Sequence, residues 1–282
     1  MKKKIDIDIV MKLYALFADK KWNEIEGNKK VFENFCKLTD NLTQEQTDLI
    51  FELTERYKWI TYNEYNSRLT NILKTIYQDY GENTKKIYLF PIIKPEDEEK
   101  IKSGNNIIYM IRGIKPFIED YDKIKFEELN KFELLIEDKL KLKENEILLL
   151  VDDYVGSGET LKATLTEVFK NSTLVNDKII VASIILQDDS LKFLNNIGIK
   201  SYSSDTVIKE ISQFYKSPAL EEKIKIMEEI EKLIPGGSNF SFGYEQSEAL
   251  VTMIRTPDNT FPIFWKEHRK NGEKFKAPFP RY

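Results

Sequence analysis

Cysteine and histidine are almost missing from this 282-residue chain, which has one of each, Cys36 and His268. A single cysteine permits no disulfide within the chain and no thiolate cluster for zinc. A single histidine removes most metal-ligand sets and catalytic triads. Long apolar runs are lacking too: no stretch approaches the roughly 18 to 20 uninterrupted apolar residues of a membrane span. The basic start Met1-Lys2-Lys3-Lys4 meets Asp6 and Asp8 where the apolar part of a signal peptide would run. The expectation is a cytoplasmic chain with no membrane partner, whose chemistry falls to carboxylates, hydroxyls, lysines, arginines and backbone amides.

What is present is enough for a core. Hydrophobic residues make up 41% of the chain and charged residues 32%, which excludes an acidic disordered tail. The net charge of -4 is unevenly spread. Lys266 to Tyr282 holds six Lys or Arg against two Glu, leaving -8 on the other 265 residues. A solvated basic tail and a contact with nucleic acid or another acidic partner are both open readings. The ending Ala277-Pro278-Phe279-Pro280 is too apolar for a mere leash, so Phe279 is expected to pack onto the body.

Helical spacing dominates the first 80 residues, at Ile9, Leu13, Leu16 and Phe17, then at Val31, Phe32, Phe35 and Leu38. Thr43-Gln44-Glu45-Gln46 is a capping box for a third helix, and a fourth, from about Glu64 to Tyr80, stops at Gly81. From Lys86 the period changes. Near-continuous apolar runs at Ile87 to Ile93, Ile107 to Ile111, Ile147 to Val151 and Ile179 to Leu186 predict strands covered on both faces, hence a parallel sheet. Helices are expected between and after them, at Glu96 to Lys102, Phe126 to Leu140, Glu159 to Phe169, Ser190 to Ile197 and Ala219 to Leu233. This alternation defines an α/β class. The expected division is a helical region over 1-82 and an α/β domain over 83-282 with an aromatic-rich C-terminal segment.

The most informative stretch runs from Ile147 to Leu161. A buried strand leads into Asp152-Asp153, then into Tyr154-Val155-Gly156-Ser157-Gly158-Glu159-Thr160 and a helix. The C-terminal edge of a parallel sheet is where open α/β folds bind ligands. The amides of residues 155 to 160, the helix N-terminus and the hydroxyls of Ser157 and Thr160 suit a phosphate. Two adjacent carboxylates suit a ribose diol and a magnesium ion. A Walker loop is excluded because no Lys follows Gly158, and a dinucleotide fingerprint lacks its third glycine.

This stretch resembles the 5-phosphoribosyl 1-diphosphate (PRPP) motif of type I phosphoribosyltransferases. The resemblance implies that Asp152 and Asp153 hold the ribose and Mg2+ and serve catalysis, and that Val155, Gly156, Ser157, Gly158, Glu159 and Thr160 bind the 5-phosphate. It implies pyrophosphate contacts at Lys94 after the first core strand, at Lys102 and Ser103, and at Arg112 and Lys115, read as cations leaving the end of the Ile107 to Ile111 strand. The family's mobile loop would fall in 116-140. Gly156 stands where purine-salvage members carry an acid, so hypoxanthine or guanine salvage is not implied.

Phe242 to Leu250 and Arg255 to Trp265 are similar to the end of a bacterial phosphoribosyltransferase-like family of conflict and phage-defence loci, including retrons. That similarity implies an effector or accessory working with a reverse transcriptase and its DNA product. Tyr244, Phe261 and Trp265 are open either to base stacking or to a place in the core. Two functions remain at this point: transfer of phosphoribosyl to an unnamed acceptor, or a regulatory subunit that senses PRPP or a nucleotide without turning it over.

Overall fold

Apolar residues recurring every three to four positions build three opening helices, α1 (Ile7–Asp19), α2 (Asn28–Thr39) and α3 (Gln44–Arg56). The capping box forms as the sequence requires: the Gln46 amide donates to Thr43 Oγ1 and the Thr43 amide donates to Gln46 Oε1. Then follow β1 (Lys58–Trp59), α4 (Tyr62–Tyr80), β2 (Lys86–Pro91), α5 (Ser103–Ile114), β3 (Lys125–Glu128), β4 (Glu146–Val155) and α6 (Glu159–Val168). The chain continues through β5 (Ile179–Gln187), α7 (Asp188–Asn196), β6 (Lys200–Val207), α8 (Ala219–Glu231), β7 (Val251–Thr252), β8 (His268–Lys270) and β9 (Glu273–Phe275). The structure, a computed structural model, describes residues 7-281, without the side chains of residues 120, 237 and 238.

Two compact units emerge, one formed by the chain up to Thr61 with the chain from Ile208, the other by Tyr62–Val207. The expected boundary near residue 82 does not coincide with this division, because α4 packs on β5, β6 and α5 and so belongs with the sheet.

In the Tyr62–Val207 unit the strands run in the order β3-β2-β4-β5-β6, all parallel. From β2 the chain steps outward to β3, returns to β4 and then proceeds the other way, so the topological switch point lies between β2 and β4. Alternate residues of the central strands, among them Phe90, Leu148, Leu150 and Val181, meet Leu161 and Leu165 of α6 and Leu194 of α7 in one core. The other set faces α4 and α5. Arg68 near the start of α4 is ion-paired with Asp205 near the end of β6.

The other unit buries an aromatic cluster. Tyr57 and Phe279 stack with centroids 4.7 Å apart, and Trp22 meets Phe279 edge-on at 5.7 Å, so the tail does pack as Phe279 led one to expect. Phe261 and Trp265 are buried, and Trp265 Nε1 donates to the Thr260 carbonyl. His268 is fully buried on Phe275, and burial pulls its pKa down to about 4.

Several expected elements differ. Ile107 to Ile111 is not a strand but the middle of α5, whose buried residues Ile107, Ile111 and Ile114 fall at helical spacing. Arg112 and Lys115 therefore sit at the end of a helix, not of a strand. Phe126 to Leu140 is not a helix: it contains β3 and a short 3-10 turn, and it buries Leu129, Leu135 and Leu140. Of the helix expected at Glu96 to Lys102, only the 3-10 turn Pro95–Asp97 forms.

Candidate functional site

The middle of β4 and most of β5 are apolar because helices cover both faces of the sheet, and toward the C-terminal edge of β4 the pattern breaks at two consecutive acids, Asp152 and Asp153. Both acids lie within the strand, at the switch point. Two helices supply their partners. Ser103, the first residue of α5, donates from Oγ to Asp152 Oδ1 at 2.5 Å, and the Asp153 amide donates to the same oxygen at 2.8 Å. Tyr65 of α4, fully buried, donates from its hydroxyl to Asp153 Oδ2 at 2.8 Å.

Gly104 explains how α5 comes so close. A Cβ there would lie 2.8 Å from the Val151 carbonyl oxygen and 2.9 Å from Pro91, so only glycine lets the first turn of α5 close onto the sheet.

Burial, and then the charge of Asp153, hold the Asp152 carboxyl well above the usual carboxylate range. Burial also raises Asp153, against the hydrogen bonds from Tyr65 and Ser103. Two adjacent acids with so little water resist carrying two negative charges together. A diol, a cation or a proton relieves that repulsion.

The loop after β4 is a tight turn. Gly158 takes φ 81°, and a Cβ there would lie 2.7 Å from Ser190 Oγ, which itself donates to the Gly156 carbonyl at 2.6 Å. Glycine is needed at this position for both reasons. Ser157 lies in this turn, and Glu159 and Thr160 form the first turn of α6, whose amides lead the helix dipole toward the same edge. Val155 remains in the ladder opposite Leu186. Thr164 of α6 fastens the segment after β2: its Oγ1 donates to the Ile93 carbonyl at 2.8 Å and accepts from the Ile93 amide at 3.1 Å.

Of the residues singled out in the sequence, Asp152, Asp153 and Ser103 are directly joined by hydrogen bonds, and the Gly156 to Thr160 loop follows on from them. Lys94 reaches Glu159 at 2.5 Å, and Lys102 reaches Asp97 at 2.8 Å. Arg112 and Lys115 are not brought there. Arg112 lies nine positions after Ser103, roughly 13 Å along the helix, and Arg112 pairs with Glu128 while Lys115 lies over Phe126.

Tyr65, Thr164 and Ser190 were not foreseen. Tyr65 had a signal: it extends the apolar stripe of α4 that runs through Leu69, Ile72 and Ile76, and a buried tyrosine hydroxyl needs a partner. Nothing in the sequence says which.

Among the described residues, no group of three or more His, Cys, Asp or Glu side chains could hold a metal, and no helix is long and apolar enough to cross a membrane. Two carboxylates alone fit magnesium in the mode where substrate oxygens and water complete its shell.

An open parallel sheet with two acids and a glycine-hydroxyl loop at its switch point defines a phosphoribosyltransferase-like α/β fold. The PRTase-CE family profile matches residues 32-281, and the chain belongs to that family. No curated protein matches. Among solved structures it is similar to a hypothetical protein from Neisseria gonorrhoeae with bound ppGpp, at 14% identity and a TM-score of 0.35 over 61% of this chain and 97% of that one. It is also similar to the Helicobacter pylori xanthine-guanine-hypoxanthine phosphoribosyltransferase, at 14% identity and a TM-score of 0.31 over 54% and 84% of the two chains. Likeness at this level carries no functional inference.

Proposed function

We propose that this chain binds PRPP, or a related ribose 5-phosphate, at Asp152, Asp153 and the Gly156 to Thr160 loop, and that it senses this ligand without consuming it. The observation that carries the sensing reading is the placement of the cations. Arg112 and Lys115 stand at the far end of α5, while Lys94 and Lys102 are each held by a carboxylate, so none of these four cations is held ready for a leaving pyrophosphate. The two acids would accept hydrogen bonds from the ribose hydroxyls, and the loop amides with Ser157 and Thr160 would take the 5-phosphate. Asp152 and Asp153 are the residues that would hold Mg2+, which when bound supplies charge neutralisation of the pyrophosphate.

One observation favours transfer as a second reading. The Lys94–Glu159 and Lys102–Asp97 pairs are partly exposed, and such pairs are worth only about 0 to 1 kcal/mol, so a pyrophosphate can compete for both lysines. An acceptor would then attack the anomeric carbon as the bond to pyrophosphate breaks, with the acids stabilising positive charge on the ribose ring.

Calorimetry with PRPP and Mg2+, alongside a pyrophosphate-release assay with the common bases, separates the two. Sensing expects binding that the Asp152→Asn, Asp153→Asn double variant abolishes, with no pyrophosphate released. Release that depends on both acids overturns sensing in favour of transfer, and binding that survives the double variant overturns the site.

A role as an effector or accessory of a bacterial defence system of retron type, with a reverse transcriptase and its DNA product as partners, rests on the resemblance of Phe242 to Leu250 and Arg255 to Trp265. Sequencing of the flanking genes tests that role: a reverse transcriptase gene found beside this one would support it. Purine or pyrimidine biosynthetic genes in its place speak against it.

A further inference from the structure

A second concavity lies away from the acid pair, between the first half of α4 and the second half of α5, with a volume of about 560 Å³. That is within the usual range for small-molecule sites. Three features set it apart from ordinary surface. Its rim carries Tyr62, Tyr109 and Phe117, large rings left 59%, 78% and 88% exposed, while most aromatics among the described residues are buried or half-buried. None of its ten lining residues is charged, although 32% of the chain is. Its wall includes Gly113, and this glycine has no structural reason to be one. It lies in the last turn of α5 without a positive φ, and a Cβ built on it meets no atom within 4 Å.

The contrast with Gly104 and Gly158 is direct, since a Cβ at either collides with the fold. Alanine at position 113 would fit the protein and favour the helix. What it would remove is space in the groove. Exposed Asn63 and Asn66 add amide donors and acceptors beside the rings.

We infer that this groove binds a neutral planar heteroaromatic ring of nucleobase type, stacked on the exposed aromatics and hydrogen-bonded by the asparagine amides. Stacking is indifferent to charge and needs flat π faces, whereas an amide reads the donor-acceptor edge of a base. An uncharged lining takes the ring and leaves any phosphate outside. The base is therefore held by residues other than the acid pair, and the source is either a free nucleoside or an unpaired base of a single strand.

The test uses the full-length protein and adenosine, guanosine, cytidine and uridine, each also as the 5'-monophosphate, together with a short single-stranded DNA. Binding is followed by calorimetry and tyrosine fluorescence. At least one of these probes is expected to bind. Tyr109→Ala should weaken it by roughly five- to a hundredfold, and Gly113→Val should weaken it comparably. Gly113→Ala should lower affinity while raising the thermal midpoint, a divergence that a purely structural role would not produce. The acid-pair double variant should bind the nucleosides unchanged, since these lack the 5'-phosphate that the PRPP reading places at the loop, which keeps this result separate from the fate of that reading. Binding by nucleosides identifies a small-molecule site, and binding by the strand alone, lost in Tyr109→Ala, identifies an unpaired base. Three results overturn the inference: no probe binds, binding is unaltered by Tyr109→Ala and Gly113→Val, or Tyr109→Ala instead dissolves a self-association seen by sedimentation.

Discussion

Asp152→Asn is expected to make the ligand-free protein more stable at pH 8 while removing its ligand binding. The carboxyl is nine-tenths buried, its charged form is disfavoured by burial and then by Asp153, and the folded protein therefore holds the proton more tightly than the unfolded chain does. Stability from that proton is fully present at low pH and is lost as pH climbs from the ordinary carboxylate range through the raised value. Each tenfold gain in proton affinity on folding corresponds to about 1.4 kcal/mol lost once the pH lies above both values. Asparagine keeps the acceptor that Ser103 and the Asp153 amide use, and it offers Asp153 an N–H donor in place of a like charge. A stabilisation of about 1 to 3 kcal/mol at pH 8 follows, shrinking toward pH 4 as Asp152 takes up its proton. Urea unfolding of the wild type and D152N at both pH values measures it. A variant that is less stable at pH 8, or equally stabilised at both, refutes the reasoning.

Tyr65→Phe takes the hydroxyl donor from Asp153, so PRPP affinity should fall by roughly five- to tenfold and calorimetric binding should set in at higher pH. Gly158→Ala forces an L side chain to φ 81° against Ser190, and it should cost about 1 to 3 kcal/mol in urea unfolding as well as most PRPP binding. Arg112→Ala combined with Lys115→Ala should leave the PRPP dissociation constant within about twofold, since Arg112 lies beyond a Debye length of about 8 Å from Ser103 at physiological salt. A larger loss in titration would return these cations to the site.

The three central strands were legible because burial on both faces makes them apolar over most of their length. The outer two were not. β3 reads Lys-Phe-Glu-Glu, and β6 carries Ser201, Ser203, Ser204 and Asp205, the polar composition that keeps sheet edges from pairing with other chains. α5 was mistaken for a strand because its branched apolar residues cover a sheet, and a short run of that density has no unambiguous period. From that one misreading came the misplacement of Arg112 and Lys115. The acid pair and its loop were visible because consecutive residues carry them. Tyr65 and Ser190 reach the site from 88 and 34 positions away, through packing that no local pattern records.

The sheet unit is inserted into its host: the chain enters it after Thr61 and leaves it after Val207. Arg68 and Asp205 clasp the two ends of this inserted cassette together. A cassette with clasped ends is spliced into its host at just two peptide bonds, and whatever it binds can be felt through the backbone only there. Tyr65, which holds Asp153, stands three residues past the first of those bonds. The Tyr65 hydroxyl thus links the acid pair to the first turn of α4, where the chain enters the cassette.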